Sequence, residues 1–152
     1  IEIFKITDEP VLYLDLDTII LKNIDELGKE ILYHAYKNCE IFYMLKAFSN
    51  REPLIHASGI MMWYGDFRFI LKEFSRLHMN KDKYDKWDQR YIADSLLKKG
   101  KTIEHVNSFF NGIKSYKHHC KENIPKDTSI ICFHGKPRPH QVNWLEKELV
   151  QC

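Results

Sequence analysis

The run Val11-Leu12-Tyr13-Leu14, free of charge and closed by Asp15-Leu16-Asp17, constrains this chain more than any other segment. Four apolar residues without helical periodicity predict a buried strand. Carboxylates at i and i+2 of a strand point to one side. Asp15 and Asp17 can therefore face one cation, and hard oxygen ligands suit Mg²⁺ or Mn²⁺. Turn-capping acids are the plainer reading of a bare D-x-D.

Around this segment the pattern mixes strands and helices. Positions 18–21 read as extended, and 23–27 as a helical turn with Asn23 available as its cap. Apolar runs at 41–45 and 59–64 have strand length. Positions 66–78 and 85–99 place apolar residues mostly at helical spacing, and Gly100 stops the second of these. Positions 128–133 form another compact strand, ending at His134-Gly135-Lys136, and 142–150 read as a closing helix. Alternating elements predict an α/β layered architecture, in which ligands sit at strand ends. Two strands end in chemistry: the first at Asp15-Leu16-Asp17, the last at His134-Gly135-Lys136.

Charge narrows the partner. The chain of 152 residues carries 23 Lys plus Arg and 21 Asp plus Glu, a net +2. Residues 1–97 hold 13 basic and 16 acidic side chains, whereas 98–140 hold 9 and 3, a local excess of 9 − 3 = +6. A local excess beside a near-neutral whole argues against wholesale nucleic-acid binding; it fits a small anion such as a phosphate ester, or a solvated basic face. The longest uncharged stretch, 53–65, has 13 residues, short of the ~18 needed for a membrane helix. The four cysteines, Cys39, Cys120, Cys132 and Cys152, lie far apart. They read as free thiols of a cytoplasmic protein. His118-His119-Cys120 does not read as a zinc site, because adjacent side chains point apart.

Taken in order, these motifs resemble bacterial-type nucleotide-sugar glycosyltransferases of the GT-A fold, near glycosyltransferase family 8, over the whole chain. The segment from Val11 to Ile20 with Asn23-Ile24-Asp25-Glu26-Leu27 looks like the family's strand, metal motif and exit helix. Ala57-Ser58-Gly59-Ile60 looks like its N-[AS]-G-hydrophobic strand, with Ala57 in place of Asn. Trp87-Asp88-Gln89 matches its D-Q pair. Ser115-Tyr116-Lys117 and Phe133-His134-Gly135-Lys136-Pro137-Arg138 look like the C-terminal segment of related transferases.

The resemblance implies Asp15, Asp17 and His134 as ligands of Mn²⁺ or Mg²⁺, with Lys136 at the diphosphate beside Ser58, Gly59 and Gly135. It implies Asp88 and Gln89 at the reacting sugar. The partners it implies are a nucleotide sugar, with a UDP-sugar as the expected donor, and a saccharide or other hydroxyl acceptor; the reaction is hexosyl transfer. Trp87 is the tryptophan expected to line the pocket, with Trp63 and Trp144 expected in core or rim.

Only 14 residues precede Asp15, fewer than the family's nucleotide-binding strands occupy. The expectation is therefore a single domain, 1–152, forming the C-terminal part of a GT-A domain. Such a part would expose a sheet edge and self-associate through it. Two alternatives stand beside this reading. One is a haloacid-dehalogenase-like phosphatase with Asp15 as nucleophile and Gly65-Asp66 as its second acidic motif, although Ile19 and Ile70 each depart from that family's pattern. The other is a non-catalytic remnant acting as a binding unit.

Overall fold

The structure, a computed structural model, describes residues 2–48, 55–77 and 88–143. It is α/β, with two mixed sheets and flanking helices. A 3₁₀ turn, Glu2–Lys5, leads to β1 (Val11–Leu14) and β2 (Thr18–Ile20), then α1 (Asp25–Tyr36), β3 (Ile41–Lys46) and β4 (His56–Tyr64). Helices α2 (Arg68–Leu77) and α3 (Asp88–Lys98) follow. The chain closes through β5 (Glu104–His105), β6 (Ile113–Ser115), α4 (Tyr116–His119) and β7 (Ile130–Cys132).

The first sheet has the order β1-β4-β3-β5 and the second β2-β7-β6. Strands β3 and β4 are apolar without alternation because the first sheet is covered on both faces. Phe42, Met44, Met61 and Trp63 point to one core, shared with Phe67 and Ile70 of the α2 region and Tyr91, Ile92 and Leu96 of α3. Their neighbours Tyr43, Leu45, Ile60 and Met62 point to the other. That second core is shared with Leu27 and Ile31 of α1, and with Ile113, Ile130 and Cys132 of the second sheet. A smaller cluster of Cys120, Ile131, Phe133 and Val142 lies behind the second sheet.

Most elements fall where the sequence predicts them, with instructive differences. Helix α1 runs to Tyr36 rather than ending after one turn at 27. Its buried stripe is only Leu27 and Ile31, and Leu32, Tyr33 and Tyr36 lie exposed on the other side, which blurs the periodicity. Asn23 does receive the backbone N–H of Asp25, at 2.7 Å. Strands β5 and β6, two and three residues long, are too short to leave a sequence pattern. Gly100 ends α3 in the left-handed region at φ 67°, with the N–H of Lys101 returning to the Leu96 carbonyl at 3.0 Å. Of the expected closing helix, only Val142 and Asn143 lie within the described residues; Trp87 and Trp144 lie outside them. Among the described residues no helix is long and apolar enough to cross a membrane.

One connection ties the two sheets together. Strand β1 belongs to the first sheet and β2 to the second, so Asp15-Leu16-Asp17 is the crossing point between them. Strand β2 runs antiparallel to β7 with Thr18 opposite Cys132, which sets the start of β2 beside the end of β7.

Candidate functional site

The antiparallel register of β2 and β7 accounts for how residues 117 positions apart become neighbours. The backbone N–H of Phe133 donates to the carbonyl of Asp17 at 3.0 Å, so the acidic turn and the His134-Gly135-Lys136 loop share one rim. On the other side of the turn, the N–H of Asp15 donates to the carbonyl of Gly59 at 3.0 Å. Here β4 carries extra residues. Its register with β3 jumps from Met44 opposite Met61 to Leu45 opposite Ala57, so 58–60 have no counterpart in β3. Such a bulge bends the strand and re-aims its residues. It places Gly59 against Asp15, where a Cβ on Gly59 would lie 3.8 Å from Asp15 Oδ2, while its neighbour Ser58 is buried.

The two carboxylates have different surroundings. Asp15 accepts the phenol of Tyr13 on Oδ1 at 2.6 Å. That bond, burial and the negative charges of Asp15 and Asp88 together push the Tyr13 pKa up to about 12, so the phenol stays protonated and fixes the carboxylate. In the sequence Tyr13 reads as one more apolar strand residue, with nothing local to mark its bond to Asp15. Asp17 instead pairs with the guanidinium of Arg138, which folds back from the last loop. Leu16, between them, is fully exposed.

His134 lies on the opposing segment, with its ring 5.8 Å from that of Phe48. Its Nε2 is enclosed and has no hydrogen-bond partner. Burial, then the positive charges of Lys117 and His118, hold its pKa below the ordinary histidine value, with Asp15 pulling the other way. The imidazole is therefore neutral at pH 7, the form that can coordinate a metal. Burial also raises the buried thiol of Cys132, beside this rim, to about 12, which leaves it protonated and inert.

Asp88 and Gln89 open α3. Asp88 accepts the N–H of Gln89 at 2.7 Å and is exposed. Its charge is the smallest of the influences that raise the Tyr13 pKa. Gly135 adopts φ 74°, and Lys136 beside it is exposed.

Two carboxylates and a neutral imidazole are a suitable donor set for Mn²⁺ or Mg²⁺, and the unpartnered Nε2 of His134 is the observation that fits it best. Among the described residues no three His, Cys, Asp or Glu side chains are gathered closely enough to hold an ion. A cation bound between Asp15 and Asp17 would have to take the place of the Arg138 guanidinium.

The second acidic motif lies elsewhere. Because β4 runs antiparallel to β1, with Leu14 opposite Ile60 and Val11 opposite Trp63, Gly65-Asp66 is at the far end of the sheet. Six strand residues put it about 20 Å from Asp15. Asp66 is engaged there by Arg68 through Nε at 2.9 Å and Nη2 at 2.6 Å, and those bonds lower its pKa to about 2.

No protein family matches this chain, and neither do any curated protein or solved structure.

The histidines give a pH prediction. His56, His105, His119 and His134 all have lowered pKa values, with burial the largest cause in each. The unfolded chain takes up protons near pH 6.5 while the folded chain lags, so this stabilisation is complete above that pH and is lost as pH falls through the folded values. The melting temperature should drop by several degrees between pH 7.5 and pH 5.5, measured by circular dichroism. A flat profile over that range would contradict the burial of these rings.

Proposed function

We propose that this chain is a metal-dependent glycosyltransferase module of GT-A type that transfers a hexose from a nucleotide-diphospho-sugar, with UDP the nucleotide to test first. The observation that carries the reading is the shared rim: the β2–β7 register and the Phe133-to-Asp17 bond set a two-carboxylate turn against a loop bearing His134, Gly135 and Lys136. In hexosyl transfer the bond between the anomeric carbon and the diphosphate oxygen breaks, an acceptor hydroxyl oxygen bonds to that carbon in its place, and the hydroxyl's proton passes to the departing nucleoside diphosphate.

Asp15, Asp17 and His134 are the residues that would hold Mn²⁺ or Mg²⁺, and such an ion supplies positive charge to the departing diphosphate. Lys136 supplies a second positive charge on the same rim, with Gly135 letting the backbone turn there. Gly59, in the bulged part of β4, lies beside Asp15, and Ser58 next to it is assigned to the substrate through the resemblance. Asp88 and Gln89 are assigned to the sugar hydroxyls. Tyr13 holds Asp15 in one orientation.

The phosphatase alternative fares worse, since it needs its second acidic motif beside Asp15 and Gly65-Asp66 stands at the opposite end of the sheet. The Asp17–Arg138 ion pair favours a different second reading, a binding unit that keeps the basic rim without performing transfer. Calorimetric titration with UDP, with and without Mn²⁺, separates them. The transferase reading expects UDP binding that depends on Mn²⁺. Equal binding without metal would favour the binding unit, and no binding in either case would remove the transferase assignment.

A further inference from the structure

Two histidines that the transferase reading does not use meet across the first sheet. Strand β3 lies between β4 and β5, with Lys46 opposite His56 on one side and Met44 opposite His105 on the other. Residues 49 positions apart are thereby brought to one end of the sheet. Their rings touch: Nδ1 of His56 and Nε2 of His105 stand 3.1 Å apart, with centroids 5.0 Å apart and an interplanar angle of 28°.

A neutral imidazole has one N–H and one lone pair, so the facing nitrogens of this pair share one proton between them. The same position suits a metal ion. Two imidazole nitrogens 3.1 Å apart, each ~2.0 to 2.1 Å from one ion, subtend about 100° at it, between the square-planar and tetrahedral angles. Coordination asks each ring to carry its proton on the outer nitrogen, Nε2 of His56 and Nδ1 of His105, and no proton has to leave the protein. Burial is the largest reason that both rings have lowered pKa values. The His105 ring adds to it at His56, and Lys46 adds to it at His105 against the pull of Glu104. Both rings are therefore neutral at pH 7, the form a metal ligand needs. Both are also only half-buried, which leaves an ion a way in.

We propose that His56 and His105 form a two-histidine site for a divalent transition-metal cation that favours imidazole, Zn²⁺ or Cu²⁺. Among the described residues no third His, Cys, Asp or Glu completes a set of three, so the remaining coordination positions are open to water or to a donor from outside the chain. The site shares no donor with the acidic turn. Hard Mn²⁺ and Mg²⁺ favour the carboxylates there, whereas nitrogen donors select Zn²⁺ and Cu²⁺. It stands whether or not the chain transfers a sugar.

The test combines calorimetry with Zn²⁺, the imidazole ¹⁵N resonances, and electron paramagnetic resonance with Cu²⁺ at half an equivalent. In the wild-type chain Zn²⁺ should shift Nδ1 of His56 and Nε2 of His105 together, a reading that needs no variant. The Cu²⁺ spectrum should show coupling to two nitrogens. His56→Gln and His105→Gln should each weaken Zn²⁺ binding by about a hundredfold, the upper end of what loss of a merely supporting group costs a metal site, and each should leave the Cu²⁺ coupled to one nitrogen. His118→Gln, an exposed change on α4, and His134→Gln, at the rim, should leave these signals in place. The proposal is overturned if the wild type binds no Zn²⁺ up to millimolar concentration, or if the two facing nitrogens do not shift. It is equally overturned if His56→Gln and His105→Gln bind as the wild type does, or if His118→Gln or His134→Gln loses as much, which would place the ion elsewhere.

Discussion

Asp15→Asn is expected to weaken Mn²⁺-dependent UDP binding by about a hundredfold or more, the scale on which metal sites respond to loss of supporting groups, while the fold stays intact. The substitution is chosen to separate charge from structure. Asp15 accepts the Tyr13 phenol at 2.6 Å, and an amide oxygen in the same place can still accept it. Ala would instead leave a part-buried hydroxyl unsatisfied, at a cost of about 1 to 3 kcal/mol. The melting temperature of Asp15→Asn should therefore stay within a few degrees of wild type while titration shows the lost affinity. Unchanged UDP affinity would mean that the acidic turn is only a structural crossing between the sheets.

The largest effect on stability is expected at Trp63. Its side chain is completely buried on β4, stacked at 5.7 Å and 9° on Phe42 and set 5.2 Å from Phe4. Trp63→Ala removes the largest buried side chain and leaves a cavity, with an expected loss of about 3 to 5 kcal/mol. Against a total of about 5 to 15 kcal/mol, that endangers folding. Trp63→Phe provides the measurable partner. The indole N–H is buried without a hydrogen-bond partner, so the smaller ring removes an unsatisfied donor and a smaller volume together. Urea denaturation should show Trp63→Phe losing far less than Trp63→Ala. Equal losses would mean that the ring packing on Phe42 and Phe4 contributes nothing, and a loss under about 1 kcal/mol for Trp63→Ala would contradict the packing of this core.

Much of the fold is legible in short sequence patterns. Val11–Leu14 and the runs within β3 and β4 are apolar at every position because both faces of the first sheet are covered, and that needs no partner to be recognised. The end of α3 is equally plain at Gly100. Legibility fails where an element is defined by its neighbours. Helix α1 continues to Tyr36 although three of its large apolar residues face solvent, and β5 and β6 exist only because β3 and β7 offer edges to pair with.

The candidate site divides in the same way. Its donors are written locally in the chain: carboxylates two apart at the end of an apolar strand, and His134, Gly135 and Lys136 at the end of another. Local chemistry suffices for that, because strand length, i and i+2 geometry and turn residues are properties of a few consecutive positions. Which groups meet depends on the assembled sheets. Thr18 opposite Cys132 joins the acidic turn to the basic loop, and the antiparallel β1–β4 pair carries Asp66 to the far end from Asp15. Tyr13 on Asp15, Arg138 on Asp17 and Lys117 on Gly135 belong to the same class of fact. The Tyr13 contact depends on where a neighbouring strand position points, and the other two on contacts across 121 and 18 residues of chain. Strand register sets such distances, and register comes from the pairing of whole strands rather than from any one segment.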